Sequence, residues 1–117
     1  MKLDTRRKII DTAEARRQAA AGAQVVSGYF DPLTAAHARR LAELKREGAR
    51  LLIAIAMPAD VILPARARAE LVAALAAVDY VTESVDGLDP AVRLEAEDEA
   101  RRAALIRHVN ARQSAVS

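Results

Sequence analysis

Six consecutive apolar residues, Leu51-Leu52-Ile53-Ala54-Ile55-Ala56, constrain this chain more than any other feature. A strand wetted on one side alternates apolar and polar side chains. A run of strand length with no polar break reads as a strand covered on both faces. Three shorter stretches join it: Ala23 to Ser27, Tyr80-Val81-Thr82 and Val92-Arg93-Leu94. The segments between them are rich in Ala, Leu, Arg and Glu, all good helix formers. The pattern predicts a helix from Asp4 to Ala21, stopped by Gly22, and a second from Thr34 to Glu47, with Leu41 and Leu44 on one face. A third is expected from Arg66 to Ala77, with Leu71, Leu75 and Val78 inward. A last runs from Glu97 to Arg112 and carries Leu105, Ile106 and Val109. Pro58 ends the central run, Asp86-Gly87 marks a turn and Pro90 punctuates again. Helix and strand in alternation predict right-handed βαβ units. The expected fold is α/β, a three-layer αβα sandwich on a parallel sheet of four or five strands.

At 117 residues the chain is expected to form one domain over 1–117, with a modest core. Hydrophobic residues make up 52%, but many are alanine and only 3% are aromatic, so the core has little bulk per residue. Burial of apolar surface in a homodimer is expected on that ground. Eighteen basic residues against 16 acidic ones leave a net charge of +2. That near balance, with so few aromatics to stack on bases, argues against a nucleic-acid binder. The absence of cysteine removes disulfides and thiolate metal sites. No apolar run approaches membrane-spanning length, and the charged N-terminus lacks a signal-peptide core, so no membrane partner and a cytoplasmic location are expected.

The stretch with chemical content is Ser27-Gly28-Tyr29-Phe30-Asp31-Pro32-Leu33-Thr34-Ala35-Ala36-His37. It follows a strand and leads into a helix, so Gly28 is expected to allow a tight turn. Thr34 is a plausible N-cap, and His37 lies three residues on, on the same face of the first turn. Free backbone N–H groups and the helix dipole favour an anion there. In sheets of this kind ligands sit beyond the carboxyl ends of the strands, which is where this stretch falls. Ordinary roles also suit these residues: Thr34 caps a helix whether or not anything binds, and His37 could be a surface histidine. No metal-ligand cluster and no Ser/His/Asp constellation is evident.

Gly28 to His37 resembles the G-x-F-D-x-(L/V/I)-(H/T)-x-G-H signature of the nucleotidyltransferase superfamily with a Rossmann-like fold. The pattern is nearest to heptose-1-phosphate adenylyltransferase and glycerol-3-phosphate cytidylyltransferase. Ala67 to Leu75 and Val78-Asp79-Tyr80-Val81 resemble the third helix and following strand of that domain. Asp89-Pro90-Ala91-Val92 through Asp98 echoes its K-P-D-V-x-V-K-G-x-D segment. The resemblance covers about residues 1 to 98. It implies attack by a substrate phosphate on the α-phosphate of CTP or ATP, with release of pyrophosphate and often with Mg2+. The acceptor would be a small phosphorylated sugar or alcohol. His37 would hydrogen-bond the nucleotide phosphates and Thr34 would support them. Arg68 takes the place of a phosphate-facing arginine; it would otherwise be a solvated first-turn residue. Gly28, Tyr29 and Phe30 would line the nucleotide and Asp31 would shape the turn.

The chain also departs from the family. Ala36 stands where a glycine precedes the second histidine, and adds a methyl group near the nucleotide's path. Ala56-Met57-Pro58 replaces Ser/Asn, Ser/Thr, Asp, and Asp60 to Leu63 lacks the loop lysine. Glu95 reverses the charge of the K-G-x-D lysine. The late R-x-x-x-I-S-S/T-S/T signature is absent, and Arg101-Arg102-Ala103-Ala104 stands there instead. Arg101 would be a nucleotide-facing substitute for it, or part of a solvated basic face. One lost phosphate donor costs about 3–4 kcal/mol of transition-state stabilisation. The resemblance therefore also allows a catalytically inactive relative that binds nucleotide as a regulatory or scaffold protein.

Overall fold

A computed structural model describes residues 4–31, 33–45, 48–58, 62–100, 103–104 and 107. Four strands form one all-parallel sheet: β1 (Gln24–Gly28), β2 (Leu51–Ile55), β3 (Tyr80–Thr82) and β4 (Val92–Arg93). Their order across the sheet is β3-β2-β1-β4. Val26 stands opposite Ile53 on β2 and opposite Val92 on β4. Among the described residues the α-helices that precede β4 are α1 (Thr12–Ala20), α2 (Ala35–Leu44) and α3 (Ala65–Ala73), and a further helical stretch follows β4 at 95–100.

The sheet divides the core in two, as alternating side chains require. On one face Val26, Leu51, Ile53 and Ile55 pack with Leu41 of α2 and with Ala69, Val72 and Ala73 of α3. On the other, Val25, Leu52 and Ala54 pack with Ala15 of α1, and Val85 and Leu88 lie against them. Val85 and Leu88 belong to the irregular segment that carries the chain from β3 across to β4. The result is a three-layer α/β sandwich of Rossmann-like form with four strands.

Several boundaries differ from the sequence expectation. The first helix does not run from Asp4 to Ala21. A 3-10 turn (Thr5–Lys8) comes first, and Asp11 then caps α1 by accepting the Glu14 N–H at 2.8 Å. Between them Ile9 bridges to Val81, and the Ile10 N–H donates to the Val81 carbonyl. Two successive β-branched residues favour extended backbone beside a sheet edge. Helix α2 stops at Leu44, with residues 46–47 outside the described set. Helix α3 stops at Ala73, four residues short of the expected end. Leu71, expected inward, is 46% exposed, and the buried positions of α3 are Arg68, Ala69, Val72 and Ala73. The last helical stretch begins earlier than expected, over residues 95–100. Leu105, Ile106 and Val109 lie outside the described residues.

Candidate functional site

The site grows from the carboxyl end of β1. Gly28 closes the strand, and its φ is not positive. The residue in the left-handed region is Phe30, at φ 49°. The tight turn therefore rests on a phenylalanine, at a conformational cost of about 1–2 kcal/mol. The Phe30 ring is fully buried, and its burial offsets that cost. Gly28 is needed for closeness instead: a Cβ there would meet Phe30 Cε2 at 2.7 Å and Asp98 Oδ2 at 3.2 Å.

Four residues beyond Phe30, Thr34 caps α2 as expected. The Thr34 Oγ1 accepts the His37 N–H at 3.3 Å, and His37 Nδ1 accepts the Thr34 N–H at 3.0 Å. This is a reciprocal capping box with an imidazole in the usual glutamate position. It also fixes the ring chemistry. A backbone N–H can only donate, so Nδ1 is the unprotonated nitrogen and Nε2 carries the proton. The Nε2–H donates to Asp98 Oδ1 at 2.5 Å. The Phe30 ring meets the imidazole edge-on, 5.1 Å between centroids.

Asp98 arrives from the other side of β1. The Leu94 N–H donates to the Ser27 carbonyl, which locks the end of β4 to β1. The helical stretch 95–100 then carries Asp98 over the strand ends. Its second oxygen accepts the Tyr29 N–H at 2.8 Å. Here β1 lies between β2, reached through α2, and β4, reached from the far edge of the sheet. That is the topological switch point, where parallel α/β sheets open a crevice for ligands. His37 is 4% exposed and Asp98 8%.

A second set of contacts ties this turn to the loop after β2. Asp31 accepts the N–H groups of Ile62 and Leu63, at 2.6 and 2.7 Å. Arg68 is fully buried. Its Nη1 donates to the Tyr29 and Ala56 carbonyls, both at 2.9 Å, and its Nε to the Leu63 carbonyl at 3.1 Å. One carboxylate and one guanidinium thus clasp the β1–α2 turn to the β2–α3 loop. Nε and Nη1 of Arg68, expected to face phosphate, donate to carbonyls in this structure because the side chain runs inward beneath the loop, while Nη2 lies 3.9 Å from Met57 Sδ.

The structure brings Gly28, Tyr29, Phe30, Thr34 and His37 together, and links Asp31 and Arg68 to them through the backbone of Tyr29 and Leu63. Ala36 sits half-buried in the first turn of α2, one residue before His37. Arg101 and Pro32 lie outside the described residues. Past β2, Ala56 donates its N–H to the Gly28 carbonyl, and Met57 is 66% exposed. Asp98 is the member of this cluster that the sequence did not single out. Its one signal was its place at the end of the Asp89–Asp98 echo; its partner His37 is 61 residues upstream.

The family model for cytidylyltransferase-like proteins matches residues 25–115, from the second residue of β1 onward. The chain belongs to the cytidylyltransferase-like family, and its role is of the nucleotidyltransferase type. A search of curated proteins found no match. Among the described residues, no helix is long and apolar enough to cross a membrane.

Proposed function

We propose that this protein binds a nucleoside triphosphate at the switch point and transfers its nucleotidyl group to a small phosphorylated sugar or alcohol. A phosphate oxygen of the acceptor would attack the α-phosphorus of CTP or ATP. A new P–O bond forms, the bond from the α-phosphorus to the bridging oxygen breaks, and pyrophosphate leaves. The protein's share is positioning and charge stabilisation. The Tyr29 N–H and the His37 Nε2–H are the donors suited to phosphate oxygens, Thr34 holds the imidazole in the donating tautomer, and the Asp31–Arg68 clasp holds the turn. The observation that carries this reading is the convergence of those two donors on a single anion, the Asp98 carboxylate.

Magnesium fits only as a companion of the nucleotide. The described residues contain no group of three or more His, Asp or Glu side chains placed to hold a metal, and the Asp31 and Asp98 oxygens are already engaged. Magnesium commonly retains its waters and binds through substrate phosphates. It enters this reading as the counter-ion of the triphosphate.

A second reading has its own support. Nε and Nη1 of Arg68 are committed to carbonyls, Asp98 takes both anion donors, and Ala56-Met57-Pro58 supplies no polar side chain beyond β2. A non-catalytic relative that retains nucleotide binding would look like this. The two are separated by assaying pyrophosphate release from CTP and ATP against a panel of phosphorylated sugars and alcohols, beside nucleotide-induced thermal stabilisation. Release with one acceptor supports the transferase. Stabilisation without release supports the second reading. Neither release nor stabilisation would overturn both.

A further inference from the structure

We propose that Asp98 is a displaceable internal ligand of this site, a carboxylate that has to leave before a phosphate enters. The proposal rests on the reading of Tyr29 and His37 as a phosphate seat and adds how that seat is regulated. Both oxygens of Asp98 are used, one on the Tyr29 N–H and one on the His37 Nε2–H. Each donor has one proton to give. The Nε2–H is the ring's single donor because Nδ1 already accepts from Thr34. A phosphate oxygen and the Asp98 carboxylate are therefore competitors for the same two protons, and like charge forbids them to share the space. Asp98 is also buried, so the closed arrangement is one that the fold satisfies with its own groups.

Closure of this kind taxes affinity. The apparent dissociation constant equals the intrinsic one divided by the fraction of molecules in which the donors are free. Two charge-assisted hydrogen bonds hold that fraction to roughly one in ten to one in a hundred, so removing the carboxylate tightens binding by about tenfold to a hundredfold. Glu97 supplies an internal control. It is the neighbouring acid, exposed and loosely paired with Arg40 at 3.9 Å, and it touches neither donor.

The test measures binding of CTP, ATP and inorganic tripolyphosphate to the full chain by calorimetry, in the wild type and in Asp98→Ala, Asp98→Asn and Glu97→Ala. The proposal expects Asp98→Ala to bind at least one of the three about tenfold or more tighter than the wild type. Asp98→Asn should fall between, and Glu97→Ala should stay within about threefold of the wild type. Equal or weaker binding by Asp98→Ala, with measurable binding by the wild type, overturns the gate and leaves the phosphate seat standing. Tightening by Glu97→Ala as large as that by Asp98→Ala reduces the effect to general charge and also overturns it. No binding by any variant overturns the gate together with the seat. Should the Asp98 variants not fold, wild-type NMR decides. Tripolyphosphate should shift the Asp98 carboxyl carbon along with the Tyr29 amide and the His37 Nε2. An unmoved Asp98 carboxyl beside shifted donors would refute displacement.

Discussion

Arg68→Met removes the guanidinium while keeping much of the apolar stem. The buried carbonyl of Ala56 and the part-buried carbonyls of Tyr29 and Leu63 lose their donor. A hydrogen bond to a charged group contributes about 1.5–3 kcal/mol, which sets the upper bound for three. Against that, the wild type bears the cost of holding a cation with no exposed surface, and methionine relieves it. Each carbonyl left without its donor costs about 1–3 kcal/mol, and three of them, less the relief of the buried cation, give an expected destabilisation of about 3–5 kcal/mol. With a urea m-value of about 1.5 kcal/mol/M, the unfolding midpoint falls by roughly 2–3 M. Arg68→Lys keeps the charge, but one ammonium cannot span three carbonyls, so it recovers only part of the loss. The assay is urea denaturation followed by far-ultraviolet circular dichroism. A midpoint within about 0.5 M of wild type at unchanged m-value would refute the clasp.

Three further perturbations probe neighbouring parts of the structure. Thr34→Ala should cost about 1 kcal/mol through loss of the cap, read by denaturation. Nitrogen-15 NMR should still show His37 with its proton on Nε2, because the Thr34 N–H remains; a switch to Nδ1 would break that reasoning. Gly28→Ala pushes a methyl into the Phe30 ring and toward Asp98, so it should destabilise by about 1–3 kcal/mol and perturb the His37 resonances; a neutral variant would contradict the packing. Asp79 links Lys45 to the Leu51 N–H, which it accepts at 2.7 Å. Burial, the largest influence, raises its carboxyl. The Lys45 and Leu51 hydrogen bonds and the Lys45 and Arg50 charges together outweigh it and hold the group below the usual carboxylate range. A lowered folded value stabilises above about pH 4, where the unfolded carboxyl is ionised, and that stability is lost as pH falls through the folded value. Asp79→Asn should therefore lower the urea midpoint at pH 7 and converge with the wild type in acid; a gap independent of pH would rule this out.

The strands were legible because apolar runs in a covered parallel sheet carry their signal locally. Leu51–Ile55 and Tyr80–Thr82 stand where the sequence puts them. The helix of residues 65–73 was misread in its facing because its inward stripe holds Arg68. Charged residues are almost never fully buried, so hydropathy turns such a stripe outward and assigns Leu71 to the core. Nothing adjacent to Arg68 in sequence announces the three carbonyls that satisfy it. The N-terminal misreading came from Asp11, whose capping role depends on where Ile9 and Ile10 pair. In the site, Thr34 and His37 were visible as a spacing of three. The capping box that fixes the imidazole's proton, and the Asp98 carboxylate that receives it, are products of the sheet order, which brings β4 beside β1.

The proposed phosphate seat lies where β1 and β4 end side by side. The most direct measurement is a crystal structure with CTP or ATP bound. Phosphate oxygens are expected within hydrogen-bonding distance of the Tyr29 N–H and the His37 Nε2, with the Asp98 carboxylate moved off both. Nucleotide bound elsewhere, or phosphates at the strand ends with neither donor engaged, would contradict this seat.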